Sequence, residues 1–237
     1  MKKTMLIIII ILVIIVLLIV VGKRILFPRY NEIEVTGKYE IGCEDYWVTE
    51  DKEDPFLKDG SQREVQVRAW YPKDYDNPDT KLPVVVVSHG SCGTIDNNRS
   101  LYREFASHGY VVLAVSHPGH AFDTLHSNGK KQKVSMDYMK EMGGMDPQKK
   151  PEEAAKLFAE WMELRMTDLS VVMDDFVEKS MQAPDRFESA DTSRFVTLGH
   201  SAGGSAALGM ARIRADVVGV IALESPCMYD IKGGADG

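Results

Sequence analysis

The sequence predicts an α/β domain, a mostly parallel sheet with helices on both faces, preceded by an N-terminal transmembrane helix. Three observations predict it. Strand-like and helix-like segments alternate along the chain, and two of the strand-like ones, Pro83-Val-Val-Val-Val-Ser88 and Tyr110-Val-Val-Leu-Ala-Val-Ser116, are apolar runs of the kind found in strands buried on both faces. A Gly-x-Ser-x-Gly turn, Gly199-His200-Ser201-Ala202-Gly203, joins a strand-like run to a helix-like one. Ahead of all this, Met5 to Val21 holds no polar residue.

The N-terminal run comes first. At about 1.5 Å per residue, a helix from Thr4 to Gly22 just crosses a hydrocarbon core of about 30 Å. A cleaved signal peptide is the alternative, but Val20-Val21-Gly22-Lys23-Arg24 offers no small-residue cleavage site. Residues 1–22 are therefore expected to be an uncleaved anchor. Lys2 and Lys3 precede the run and Lys23, Arg24 and Arg29 follow it, so the charge rule nearly cancels. The expected arrangement is membrane-bound with the domain extracytoplasmic, the usual purpose of a short N-terminal anchor. Residues 23–32 read as a linker in which Pro28 stops the helix. Residues 33–237 read as the α/β domain.

Within the domain, Glu34 to Thr49 is rich enough in Val, Ile, Tyr and Trp for a first strand, and Arg63 to Tyr71 alternates as a half-buried second one. These two precede the parallel part and can pair as an antiparallel edge. Asp74 to Thr80 is a turn cluster around Pro78. The valine strand follows, then a helix over Asn97 to His108 closed by Gly109, then the strand over Tyr110 to Ser116. Residues 117–150 are irregular and polar and read as loop. Pro151 to Met181 is a long amphipathic helix whose start carries Pro151, Glu152 and Glu153. Phe195 to Leu198 is a short strand, Ala202 to Ile213 a helix, and Val217 to Leu223 a further strand.

Composition excludes several classes. With 44% hydrophobic and 27% charged residues the chain is neither disordered nor fibrous. A formal net charge of −7 disfavours nucleic acid as a partner. Cys43, Cys92 and Cys227 form no Cys-x-x-Cys pair and no zinc pattern, which leaves room for one disulfide at most.

Ser201 is the candidate nucleophile. Glycines on both sides of it permit a sharp strand-to-helix turn that lifts its Oγ off the sheet edge, and the helix behind it supplies free N–H groups and a positive dipole end. The Ala202 N–H can then face an oxyanion. Ser88-His89-Gly90-Ser91-Cys92-Gly93 follows the valine strand and would lie beside this turn, with the Ser91 N–H, otherwise that of Cys92, as second donor.

These stretches, GHSAGG, VVVVSHG and LYREFASHGYVVLAVSHPGH, resemble the α/β-hydrolase superfamily, and within it most closely the platelet-activating-factor acetylhydrolase group and related bacterial esterases. The resemblance covers roughly Tyr46 to Met228. It implies hydrolysis of carboxylic esters, typically short or oxidised acyl chains on phospholipids, without metal or organic cofactor. Partners are then a small-molecule or lipid ester and, through the N-terminal helix, the membrane. It also implies a triad in the order serine, acid, histidine. Glu224, at the exit of the strand Val217–Leu223, stands where the group carries its acid, with Glu in place of the Asp of the animal enzymes. Asp216 and Asp230 are weaker candidates.

The base is missing. All six histidines, His89, His108, His117, His120, His126 and His200, precede Ser201. His200 reads as structural, its ring turned away along the strand, and His89 as a stabiliser of the loop that holds Ser91. His117 and His120 end a strand on the active-site edge and are expected to line the pocket, with an unusual base role as the lesser alternative. The expectation is that these residues are part of a longer product, cut after the acid strand, that supplies the histidine. A catalytically inactive binding protein of the same fold is the competing reading, and dienelactone-type, polyester-cleaving and serine peptidase activities share the same motifs.

Overall fold

The structure is a computed structural model that describes residues 2–26, 32–77, 79–182, 187 and 189–228. The chain divides into two compact units, Met1–Glu34 and Val35–Gly237.

In the first unit, α1 runs over Lys2–Leu26. Its stretch Thr4–Ile25 has a mean hydropathy of 3.9 and is long and apolar enough to be a membrane span or a signal sequence. The helix extends into the segment expected to be linker. Pro28, the expected stop, lies outside the described residues.

The second unit is built on a sheet that has six strands among the described residues, β1 (Ile41–Glu53), β2 (Gln62–Pro72), β3 (Leu82–Ser88), β4 (Val111–Val115), β7 (Ala190–His200) and β8 (Val217–Leu223), in the order β1-β2-β4-β3-β7-β8. β1, β2 and β4 are joined antiparallel, and β4, β3, β7 and β8 are joined parallel. The first strand begins seven residues later than the composition suggested, at Ile41 rather than Glu34. The valine run shows why both faces must be covered. Val84 and Val86 point into one apolar core, Val85 and Val87 into another, and all are buried.

The first core lies under α4 (Pro151–Gln182) and α5 (Ala202–Ile213), with Met162, Leu169, Val172, Met173 and Phe176 meeting Val65, Val67, Leu113 and Phe195. The second lies under α2 (Arg99–Ser107), where Tyr102 and Ala106 pack on Val112, Ala114 and Leu198. α2 ends as its glycine requires. Gly109 has φ +94°, its N–H donates to Ala106 O at 3.1 Å and the Tyr110 N–H reaches back to Phe105 O at 3.1 Å.

Residues 117–150 are not simply loop. They contain the hairpin β5 (Asp123–Leu125) and β6 (Lys131–Lys133) and the helix α3 (Met136–Gly144), whose N-terminus is capped by the Ser135 hydroxyl accepting from the Tyr138 N–H. The strands are three residues each, too short to show a period in the sequence. The three cysteines are free thiols, so the single bridge that the sequence allowed is not formed.

Candidate active site

Parallel pairing brings the ends of three strands to one edge. Ser88 of β3 pairs with Gly199 of β7, and His200 pairs with Leu223 of β8. Everything that follows these positions therefore emerges side by side at the carboxyl edge of the sheet, where open α/β sheets bind ligands.

Ser201 joins β7 to α5 with φ 54° and ψ −124°. A residue with a Cβ pays for this conformation in steric strain, and the surroundings hold it there. The Ser201 N–H donates to Leu223 O at 2.9 Å, and its carbonyl accepts from the Ser205 N–H at 3.2 Å. The flanking glycines are required by space rather than by φ. A Cβ on Gly199 would stand 2.1 Å from the carbonyl of Gly203, and one on Gly203 would stand 2.0 Å from Ser88 O. The turn is thus closed tightly against the end of β3. Ser201 is half-buried, and its hydroxyl makes no hydrogen bond to any described residue.

The loop after β3 passes directly over this turn. A Cβ built on Gly90 would lie 3.4 Å from the Ser201 Cβ. Of the two loop donors considered from the sequence, the Cys92 N–H is committed, donating to His120 O at 3.0 Å. It has no second proton to offer an oxyanion. The Ser91 N–H donates to no described residue, and its Oγ shares a hydrogen bond of 2.7 Å with the Tyr138 hydroxyl. Ala202 opens α5, where N–H groups have no partner inside the helix.

Glu224 follows β8 with φ 47°, and its side chain is 90% exposed. Its Oε2 lies 3.6 Å from His200 Nε2. The His200 ring does not turn away along the strand. It stays partly exposed beside Glu224 and against Gly90, because Gly90 leaves it room. Asp216 is occupied by a two-pronged pair with Arg214, and Asp230 lies outside the described residues.

His117 and His120 do not line a pocket at this edge. Both are buried, and His117 is hydrogen-bonded on both ring nitrogens, Nε2 to Ser88 Oγ at 2.8 Å and Nδ1 to Asp168 Oδ2 at 2.7 Å. Burial, and then the nearby Arg165 cation, hold the pKa of His117 and His120 well below that of free histidine. A neutral His117 donates from Nδ1 to Asp168 and accepts the Ser88 hydroxyl proton at Nε2. His120 stacks on Tyr138 with ring centroids 3.9 Å apart. His89 Nδ1 donates to Gly90 O at 2.7 Å and its Nε2 accepts from the His117 N–H at 3.2 Å, which pins the loop.

Behind the loop lies a buried polar network that sequence reasoning missed. Arg63 donates to both oxygens of Asp168, at 2.7 and 2.8 Å, to Asp54 at 3.1 Å and to Pro118 O at 3.1 Å. Burial drags the Arg63 cation down, but Asp168, Asp54 and Glu50 outweigh it and its pKa ends above the ordinary value. Burial, and then the Asp168 carboxylate, push Glu50 up to about 7. Arg165 donates to His89 O at 2.6 Å and, more distantly, to Ser88 Oγ and Gly90 O at 3.5 Å. A signal existed. Arg165 and Asp168 fall on the same stripe of α4 as Met162, Leu169 and Val172, and Arg63 shares its strand face with Val65 and Val67. Charges on an apolar face must be paired or solvated, but their partners are too far away in sequence to be named from it.

A parallel sheet in this order, a strained serine between strand and helix, and a Gly-rich loop over it define a protein of α/β-hydrolase fold. The family of platelet-activating factor acetylhydrolase, isoform II, matches residues 64–231, and the chain belongs to it. Among solved structures, the ferulic acid esterase from Streptomyces cinnamoneus is similar at 20% identity with a TM-score of 0.60, covering 78% of this chain and 59% of the esterase. This likeness is one of fold, and the chain spans about 59% of the esterase's length. No curated protein matches the chain.

Proposed function

We propose that this protein is a membrane-anchored serine hydrolase of carboxylic esters that works through an acyl-enzyme on small or lipid-like esters. The observation that carries the proposal is Ser201, held at φ 54° and ψ −124° between strand and helix with a hydroxyl that bonds to no described residue. Family membership and the fold support ester hydrolysis as the reaction class.

In the proposed reaction Ser201 Oγ attacks the ester carbonyl carbon and its proton passes to a base. The Ser91 and Ala202 N–H groups stabilise the oxyanion of the tetrahedral intermediate. Collapse breaks the bond to the leaving alkoxide, which takes the proton and departs as the alcohol. Water, deprotonated by the same base, then releases the acid from Ser201. Glu224 orients the base. None of the six histidines is placed beside the Ser201 hydroxyl by any contact in the structure, and the proposal assigns the base to a histidine outside these 237 residues. The N-terminal helix would hold the domain, on the extracytoplasmic side, at the surface where hydrophobic esters concentrate.

The test is labelling of the full-length protein with a fluorophosphonate probe alongside p-nitrophenyl acetate turnover. The wild type should be labelled at Ser201 and S201A should lose both label and turnover. Substituting Glu224 by Gln should lower kcat by about 10²–10⁴ if it orients the base. A second reading, a binding protein of this fold without catalysis, is favoured by the placement of the histidines, none of which contacts the Ser201 hydroxyl. A folded full-length protein with neither label nor turnover would establish that reading instead.

A further inference from the structure

Arg165 is a fully buried cation on α4 that forms no ion pair with any described residue. Removing a guanidinium from water costs several kcal/mol unless other groups solvate it. Here the solvating groups are carbonyls of the loop after β3. Arg165 Nη1 donates to His89 O at 2.6 Å and Nη2 lies 3.5 Å from Gly90 O. Its Nε donates to His120 Nδ1 at 3.3 Å, which keeps the guanidinium plane fixed.

The orientation has a consequence on the other side of the loop. No cis peptide bond occurs among the described residues. Across a trans peptide the carbonyl of one residue and the N–H of the next point in opposite directions. Drawing the His89 and Gly90 carbonyls toward α4 therefore turns the Gly90 and Ser91 N–H groups away from it. The loop packs against Ser201, where a Cβ built on Gly90 would lie 3.4 Å from the Ser201 Cβ. Gly90 O also accepts from His89 Nδ1 at 2.7 Å and from the Gly93 N–H at 3.1 Å, so the peptide plane between Gly90 and Ser91 is held by these donors together with Arg165.

We propose that Arg165 is a positioning residue for ester hydrolysis, fixing the peptide planes of residues 89–91 so that the Ser91 N–H faces the oxyanion formed at Ser201. This rests on the serine hydrolase reading above. Arg165 touches neither substrate nor Ser201, and its effect falls on the transition state alone.

The test uses the full-length protein with R165M, R165K and S201A, scoring kcat and KM per active site titrated by fluorophosphonate. R165M should lower kcat per titrated site by about 10- to 100-fold, somewhat less than deleting an oxyanion donor outright. KM should stay within about twofold, since ground-state binding does not use the oxyanion contact. R165K should recover part of the loss, because an ammonium can hold one carbonyl but not the planar fork. Affinity for a boronic acid analogue of the tetrahedral intermediate should fall in parallel with kcat/KM. A merely structural arginine would lower the number of titrated sites and leave kcat per site unchanged, and that result overturns the proposal. If R165M does not fold, R165K alone decides, and kcat per site within twofold of wild type overturns it. If S201A keeps full turnover, the serine reading falls and this proposal with it. If S201A is dead while both arginine variants match wild type, only the role of Arg165 is refuted.

Discussion

Ser201 should cost the protein stability, and replacing it with glycine should return some. At φ 54° and ψ −124° the residue occupies the mirror image of the extended region near φ −54° and ψ 124°. That mirror region is strained for any side chain with a Cβ and as easy as the original for glycine. The strain is about 1–3 kcal/mol. Glycine gives back about 0.5–1 kcal/mol in unfolded-chain entropy, so S201G should gain about 1 kcal/mol net. In a domain of this size this raises Tm by about 2–4 °C. The control is S201A, which keeps the Cβ and removes a hydroxyl that bonds to nothing described, and it should lie within about 0.5 kcal/mol of wild type. Denaturant melts of the three proteins in the same detergent give the comparison. Both variants should lose turnover, so only stability separates them. If S201G is no more stable than S201A, the strain is not stored at Ser201 and the argument that the surroundings impose the turn is wrong.

Two further outcomes follow from the packing around the same turn. G203A places a Cβ 2.0 Å from the Ser88 backbone oxygen, a contact no side-chain movement relieves, so it should cost about 3 kcal/mol or more and be seen as loss of folded protein or a much lower midpoint in urea. Glu50, with its pKa pushed up to about 7 chiefly by burial, should make stability pH-dependent. Because the folded state binds the extra proton, stability should be intact below the unfolded carboxyl pKa near 4.5 and fall as pH rises toward 7. E50Q, neutral throughout, should lose less over that window by about 1–3 kcal/mol, and urea melts of both proteins at pH 5 and pH 8 that show no such difference refute the assignment.

Much of this was written in local pattern. The valine run had to be a strand covered on both faces because every second side chain points to the opposite side and all are apolar. The helix over Asn97–His108 needed its glycine, and Gly109 sits at φ +94° as a left-handed cap. The serine turn was legible because glycine spacing, a strand before and a helix after are all local properties. The segment 117–150 was not legible, since strands of three residues carry no period and the Ser135 cap of α3 has no apolar run to announce it.

Outside residues 117–150 the sequence by itself determined the class of the main elements and the serine around which they turn, because propensity, glycine and apolar period act over a few residues. Only the tertiary structure decided which groups meet. Cys92 lost its N–H to His120 O, leaving the Ser91 N–H as the loop donor with no partner among the described residues, because the chain after β4 returns against the loop. His117 went to Ser88 and Asp168, which lie 29 and 51 residues away, rather than to the pocket. Arg63 found Asp168 across 105 residues. A buried charge must be paired or solvated wherever the fold places it. Which partner satisfies it depends on the crossing of strand and helix, and no local pattern encodes that.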